Sequence, residues 1–225
     1  EKALLSLRAA VLDAPVRALR VRLIESRKSR NDDALDDTGE DTAPWQELYC
    51  EGELHLSLTL PTPEPGGPNQ AKPLQLAYRP GDFTQTHWAI NEALVARALE
   101  WLQPVSEECA LDLFSGIGNF SLPLASRAGV VHALEGDAGM TERVAGNAAR
   151  NGLDNIHAQT MNLMAEKLVL PKADIAVIDP PRAGAKAVCE ALARSGVRRL
   201  VYVSCHPATL SRDAVILAKA GFALR

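Results

Sequence analysis

The chain has 225 residues and 47% hydrophobic content, which suits one large domain or a medium domain with an appendage. Its net charge of −4 excludes a surface that grips nucleic acid everywhere, because such surfaces are basic. No apolar run reaches membrane-spanning length, so no membrane contact is predicted. The cysteines (50, 109, 189 and 205) form no CxxC pair, which indicates neither a zinc site nor a disulfide framework and fits the cytoplasm. Because the chain begins with Glu1, we expect it to be part of a longer protein.

Residues 1–80 predict a small N-terminal α+β subdomain with acidic and proline-rich loops. Leucine alternates with polar residues over 53–60, which is typical of a half-buried strand. The other patterns predict a helix over 1–12, a strand over 18–25, and loops over 26–44 and 61–73.

From residue 88 the pattern alternates between helices and strands, which predicts a parallel sheet covered on both faces. Strands are predicted over 110–114, 130–134, 156–160, 175–178 and 199–203, and helices over 89–102, from the 115–119 turn to 128, and over 138–151, 184–195 and 207–220. Another strand begins where the chain stops, so we expect this domain to be incomplete at its C-terminus.

The segment LDLFSGIGNF (111–120) places a glycine-rich turn after the first of these strands. Gly116 and Gly118 would let the backbone approach a ligand closely, as in dinucleotide-binding folds. The third glycine of that fingerprint is replaced by Ser121, which favours a ligand smaller than a pyrophosphate. The simpler interpretation is a tight strand–helix turn.

Glu135 ends the second strand, about twenty residues further on, where an acid accepts hydrogen bonds from ribose hydroxyls. Ribose without pyrophosphate indicates S-adenosylmethionine rather than NAD. The alternative is a carboxylate at a helix N-terminus, although Asp137 suits that cap better. Asn162 follows the third strand and could meet the adenine, or it could simply form a turn.

Asp179 closes the fourth strand in IDPPRAG (178–184) and is predicted to face the donor pocket. This segment resembles the (D/N)PP motif of amino-methyltransferases. Those enzymes follow the motif with an aromatic residue, whereas Arg182 stands here. Methylation of an exocyclic amine is therefore less favoured and stays an alternative.

Cys205 lies between an apolar strand and a helix start at Pro207. A thiol there lies at the carboxyl edge of the sheet, near the positive end of the next helix, which favours the thiolate. Cys205 is therefore a candidate nucleophile, and the alternative is a buried structural cysteine.

Together, FTQ (83–85), DLFSGIGNF, EGD, DPPRAG and VSCHPATLSRD resemble the RNA uridine-C5 methyltransferases, above all the bacterial enzymes that make 5-methyluridine in 23S rRNA. The resemblance covers about residues 75–225 and implies a class I S-adenosylmethionine-dependent methyltransferase domain, Rossmann-like, over 81–225. It implies that Cys205 is the catalytic nucleophile. The donor would be held by Gln85, Phe114, Asn119, Glu135, Asn162 and Asp179, with Gly116 and Gly118 in the turn.

On this resemblance, the thiolate adds to C6 of a uracil that has left its stack, and C5 of the resulting enolate accepts the methyl group. The substrate would be rRNA rather than tRNA, and the protein a cytoplasmic monomer. The family's base is a glutamate expected beyond Arg225, while an RNA-binding β-barrel and the cysteines of an iron–sulfur cluster precede this chain. Ser115, His87 and His206 depart from the family's usual Cys, Asn and Asn.

Two further interpretations stay open: a fragment that only binds S-adenosylmethionine or RNA, because the base is missing, and a nicotinamide-dependent oxidoreductase. The sequence predicts a donor site over the carboxyl ends of the first, second and fourth strands, with Gly118, Glu135 and Asp179 in one pocket.

Overall fold

A computed structural model describes residues 18–21, 46–50, 54–60 and 73–224. The chain divides into two compact units, Glu1–Leu54 with Arg79–Gly81, and His55–Tyr78 with Asp82–Arg225. The helix predicted over 1–12 and the loops predicted over 26–44 and 61–73, apart from residue 73, lie outside the described residues. The domain boundary at residue 80 stays a prediction.

The first four strands form two separate ribbons. Strand β1 (Ala18–Val21) pairs antiparallel with β2 (Gln46–Cys50), and β3 (Leu54–Leu58) pairs with β4 (Leu74–Tyr78). The sequence patterns had indicated β1 and β3 but not their partners. Leu58 and Leu76 are fully buried, so the second ribbon contributes to the main core.

The main sheet has five parallel strands in the order β7-β6-β5-β8-β9. These are β5 (Cys109–Leu113), β6 (Val130–Glu135), β7 (Ile156–Thr160), β8 (Ile175–Ile178) and β9 (Arg199–Tyr202). The chain moves outward from β5 to β7 and then returns to the other side of β5. This reversal between β5 and β8 is where open α/β sheets bind ligands, outside the carboxyl ends of the strands.

Helices cover both faces of this sheet, as predicted. They are α1 (Trp88–Leu102), α2 (Ser121–Ala125), α3 (Ala138–Arg150), α4 (Lys186–Leu192) and α5 (Pro207–Lys219). Ala110 belongs to the core with α1, α2 and the β3–β4 ribbon, whereas Leu111 and Leu113 belong to the core with α4 and α5. Alternation of side chains along β5 thus separates the two cores. Among the described residues, no helix has the length and apolar character to cross a membrane.

Two helices are shorter than predicted, because apolar spacing does not mark their ends. Helix α2 is regular only to Ala125, and hydrogen-bonded turns continue to Ala128. Helix α4 begins at Lys186, since Gly184 has a φ of 78°, outside the helical region. The predicted cap of α3 is confirmed: the Asp137 side chain accepts a hydrogen bond from the N–H of Met140.

Candidate functional site

The structure brings the candidate residues of the five strands to one edge of the sheet. Residues 114–119 follow β5, Glu135 ends β6, Asn162 follows β7, Asp179 follows β8 and Cys205 follows β9. Because all five strands are parallel, these positions lie at their carboxyl ends. Gln85 lies outside the sheet, between β4 and α1.

The glycine-rich turn after β5 is tight and open on one side. Phe114 has a φ of 67°, which is strained for a residue with a side chain, and its N–H donates to the Leu134 carbonyl at 3.0 Å. Gly118 has a φ of 99°, which residues with a side chain rarely adopt, and a Cβ there would lie 2.5 Å from Cδ1 of Leu122, so this position favours glycine. A Cβ on Gly116 would meet no atom within 4 Å. The turn therefore leaves room for a ligand beside Gly116.

Backbone amides hold the Glu135 carboxylate in a fixed orientation beside this turn. Its Oε2 accepts from the N–H of Gly116 at 2.9 Å, and its Oε1 accepts from Gly136 and Asp137 at 2.7 and 3.1 Å. A carboxylate offers about four acceptor positions, so one is left for a ligand hydroxyl. Asp137, not Glu135, caps α3, which leaves Glu135 for binding. An oriented, half-exposed acceptor suits a ribose.

Asp112, inside β5, was not singled out from the sequence. Its side chain is fully buried, Oδ2 accepts from Oγ of Ser121 at 2.5 Å, and Oδ1 has no hydrogen-bond partner among the described residues. Its pKa is raised to about 7, chiefly by burial and also by the charges of Asp179 and Glu135, against the lowering effect of the hydrogen bond from Ser121. In the sequence, the feature that points to Asp112 is an acidic residue inside the otherwise apolar strand CALDL.

Asp179 lies at the point where the chain order reverses. Its backbone N–H donates to the carbonyl of Leu113 at 3.2 Å, which attaches the start of the DPPR loop to β5. Burial raises the pKa of Asp179 to about 6. With Glu135, it makes this part of the edge acidic, which suits a ligand that carries positive charge.

The segment that contains Gln85 is anchored on both sides. Asp82 forms an ion pair with Arg143 of α3. Asn91 of α1, only 2% exposed, exchanges two side-chain hydrogen bonds with Asn119 at 2.8 and 2.9 Å. The Asn119 amide thus already binds α1 and keeps only part of its hydrogen-bonding capacity for a ligand.

Asn147 of α3 is a second residue that the sequence analysis missed. Its Oδ1 accepts from the N–H of Ala77, and its Nδ2 donates to the carbonyls of Ala77 and Ile117, at 2.7, 3.1 and 2.9 Å. This one buried amide joins β4 to the glycine-rich turn. A polar residue amid small apolar ones on a helix was its only sequence signal.

Asn162 behaves as the simpler interpretation expects. Its Oδ1 accepts from the N–H of Met164 at 3.0 Å, which forms a turn, and its side chain is exposed. Its role as a donor-binding residue stays a prediction, as do the roles of the other candidate residues.

Cys205 is a free and exposed thiol, whereas Cys189 is the buried cysteine of this region. The N–H of Val203 donates to the carbonyl of Ile178 at 2.8 Å, so the strand leading to Cys205 runs beside the strand leading to Asp179. His206 caps α5 by accepting from the N–H of Thr209, and Pro207 begins the helix. An exposed thiol at a helix start is free to attack a substrate.

Comparisons with known proteins show the family of this chain. A family model described as tRNA (uracil-5-)-methyltransferase matches residues 70–221. The 23S rRNA (uracil(1939)-C(5))-methyltransferase of Pseudomonas fluorescens is 48% identical over 79% of this chain and 40% of its own length. The corresponding Pseudomonas aeruginosa protein is 47% identical over 68% of this chain and 35% of its own length. This chain therefore spans about two-fifths or less of the curated relatives it matches.

A solved structure is also similar. The tRNA (uracil-54, C5)-methyltransferase of Pyrococcus abyssi, determined with S-adenosyl-L-homocysteine, shares 29% identity and a TM-score of 0.57. The similarity covers 64% of this chain and 36% of that one. The family model matches more than half of the residues of this chain. The five-stranded parallel sheet and the similarity to the Pyrococcus abyssi enzyme confirm the predicted Rossmann-like methyltransferase fold. The chain belongs to the tRNA (uracil-5-)-methyltransferase family.

Proposed function

We propose that this chain is the catalytic domain of an enzyme that transfers a methyl group from S-adenosylmethionine to C5 of a uridine in RNA. One observation carries the proposal: the exposed Cys205 thiol and the Asp179 carboxyl follow neighbouring strands at the same edge of the sheet. A methyl donor and a nucleophile for the acceptor base are needed at the same place, and this edge offers a residue for each.

The residues at the edge fit the donor. Glu135 would accept a hydrogen bond from a ribose hydroxyl, and the open space beside Gly116 would admit the nucleoside. Gln85, Phe114, Gly118, Asn119, Asn162 and Asp179 complete the proposed set. Bound S-adenosylmethionine supplies a methyl group made electrophilic by its sulfonium.

Cys205 would act on the uracil and not on the donor. Addition of its thiolate to C6 moves the electrons of the C5–C6 bond onto C5 and the O4 carbonyl, which makes C5 nucleophilic. After C5 gains the methyl group, a base removes the C5 proton and the thiolate leaves, which restores the double bond. We propose that this base is a glutamate outside residues 1–225, as the resemblance implies.

We place the substrate in ribosomal RNA rather than tRNA. The relatives that share 47–48% identity with this chain are named 23S rRNA methyltransferases, whereas the tRNA enzyme of Pyrococcus abyssi shares 29%. The target base would leave its stack to reach the thiol. We also propose that the protein acts as a cytoplasmic monomer.

The test uses the full-length protein with 23S rRNA and tRNA transcripts and a donor labelled in its methyl group. Nucleoside digestion should yield labelled 5-methyluridine from the ribosomal RNA. Cys205→Ala should abolish transfer, while affinity for S-adenosylhomocysteine should stay within about twofold, because the thiol makes no proposed contact with the donor. Cys109→Ala, at the opposite end of β5, is the matched control and should retain transfer. Label in an exocyclic amine instead would support the amino-methyltransferase alternative.

A further inference from the structure

One buried carboxylate joins the elements on both sides of Cys205. Asp213, in the second turn of α5, has no solvent exposure. Its Oδ2 accepts from the N–H of Ala185 at 2.6 Å and from the hydroxyl of Tyr202 at 2.7 Å. Its Oδ1 accepts from Nε of Arg212 at 2.8 Å. Asp213 thus connects α5, the end of β9 and the loop that carries Asp179.

The loop is held to α5 at further points. Nη2 of Arg212 donates to the carbonyl of Ala183 at 2.9 Å, and Oγ1 of Thr209 donates to the carbonyl of Arg182 at 3.2 Å. A Cβ on Gly184 would lie 2.6 Å from Oδ2 of Asp213, so only glycine allows this close approach. The loop after Asp179 therefore packs directly on the first turns of the helix that follows Cys205.

The groups around Asp213 offer hydrogen-bond donors and a positive charge to its carboxylate. Burial and the hydrogen bond to Asp213 raise the pKa of Tyr202, so its hydroxyl stays protonated and donates. Burial and the charge of Asp213 also raise the pKa of the neighbouring Cys189 thiol to about 12, which keeps that thiol neutral. The carboxylate is left with Arg212 as its counter-charge.

We propose that Asp213 is a positioning residue that fixes the DPPR loop relative to Cys205, an inference that rests on the function proposed above. Tyr202 precedes Cys205 by three residues, and α5, which contains Asp213, begins two residues after Cys205. Through its hydrogen bond with Tyr202, Asp213 therefore joins the segments before and after the nucleophile. The same carboxylate holds the loop that begins at Asp179. Methyl transfer needs the donor and the C6 adduct aligned, and small misplacements are costly.

A purely stabilising role makes a different prediction, and the chain provides a matched control. Glu108 is another buried carboxylate paired with arginine, at the opposite end of β9: both of its oxygens accept from Nη2 of Arg199 at 2.8 Å, and Oε1 also accepts from Nη2 of Arg198 at 3.4 Å. Replacing it breaks a comparable pair far from the carboxyl edge. Asp213→Asn and Glu108→Gln therefore separate positioning from stability.

The experiment measures methyl transfer, melting temperature and binding of S-adenosylhomocysteine for the full-length wild type and each variant. Asp213→Asn should lower kcat about ten- to a hundredfold, because its amide places a donor against the Arg212 guanidinium and loosens the loop. The affinity for S-adenosylhomocysteine should change less than about threefold, because the backbone N–H of Asp179 still donates to the carbonyl of Leu113 in this variant. Glu108→Gln should lower the melting temperature and change kcat less than about twofold.

Tyr202→Phe removes one hydroxyl and keeps the ring, so it serves if Asp213→Asn does not fold. It should lower kcat about threefold or more with little change in melting temperature. A kcat in Asp213→Asn equal to that of the wild type would overturn the positioning role. If Asp213→Asn does not fold, a wild-type kcat in Tyr202→Phe would overturn it. Equal losses of kcat in Asp213→Asn and Glu108→Gln would also overturn it. A wild-type protein without C5 methylation would instead overturn the proposed function, and this role with it.

Discussion

Replacement of Asp112 by Asn should change how stability depends on pH. Asp112 is fully buried, and one of its oxygens accepts a hydrogen bond from Ser121, while the other has no partner in the part of the chain that the structure describes. Its pKa is raised to about 7, chiefly by burial. In the unfolded chain the same carboxyl titrates at about 3.9. Between these values the folded protein holds a proton that the unfolded chain has released.

The sign and size follow from this difference in bound protons. As pH rises from about 4 to about 7, deprotonation stabilises the unfolded chain relative to the folded one, by about 1.4 kcal/mol per pH unit at most. The contribution sums to about 4 kcal/mol at most and is constant outside that window. Asn cannot titrate, so Asp112→Asn should lack this part of the pH dependence. The free energy of unfolding of the variant relative to wild type should therefore rise from pH 4 to pH 7.

Urea unfolding of both proteins at several pH values measures this difference. The amide that Asp112→Asn introduces does not titrate, so any effect it has on the free energy of unfolding is the same at every pH. The test is therefore how the difference in free energy of unfolding between the two proteins changes with pH. Asp154→Asn, at an exposed carboxylate, is the control and should leave the slope unchanged. A difference between wild type and Asp112→Asn that does not vary with pH would refute a protonated Asp112 and show that this carboxyl titrates normally.

Two further substitutions test the donor site and its support. Glu135→Ala should weaken binding of S-adenosylhomocysteine by about 1.5–3 kcal/mol, roughly ten- to a hundredfold by calorimetry, because a charged acceptor for ribose is lost. Glu142→Ala, on the exposed side of α3, is the control and should leave this affinity unchanged. Equal affinities in the two variants would contradict a role for Glu135 in binding the donor. Asn147→Ala should lower the free energy of unfolding in urea by about 2–4 kcal/mol, since buried backbone groups of Ala77 and Ile117 lose their partner. A loss below about 0.5 kcal/mol would mean that water replaces this amide.

The sheet and its functional edge could be predicted because their signals are local. Strands β7 and β8 have the predicted bounds. Strand β8 is a short continuous apolar run, which is typical of a buried strand. Parallel strands then place Glu135, Asp179 and Cys205 at one edge by geometry alone. The cap at Asp137 was likewise readable from its own neighbours.

The supporting contacts could not be predicted, because each joins residues that are distant in sequence. The amide of Asn147 binds Ala77, 70 residues away, and the carboxylate of Asp213 binds Ala185, 28 residues away. The local pattern around Asn147 offers only a polar residue amid small apolar ones, and neither pattern identifies the distant partner. The need for glycine at 184 appears only when α5 packs on the loop.

The central claim, a covalent adduct between Cys205 and uracil C6, is tested most directly with RNA that contains 5-fluorouridine at the target position. Fluorine at C5 leaves no proton for the base to remove, so the enzyme should stop after methyl transfer with the RNA still attached. Mass spectrometry of the digested full-length protein should find a methylated 5-fluorouridine on the peptide that contains Cys205. Turnover without any adduct, or an adduct on another residue, would contradict this account of the site.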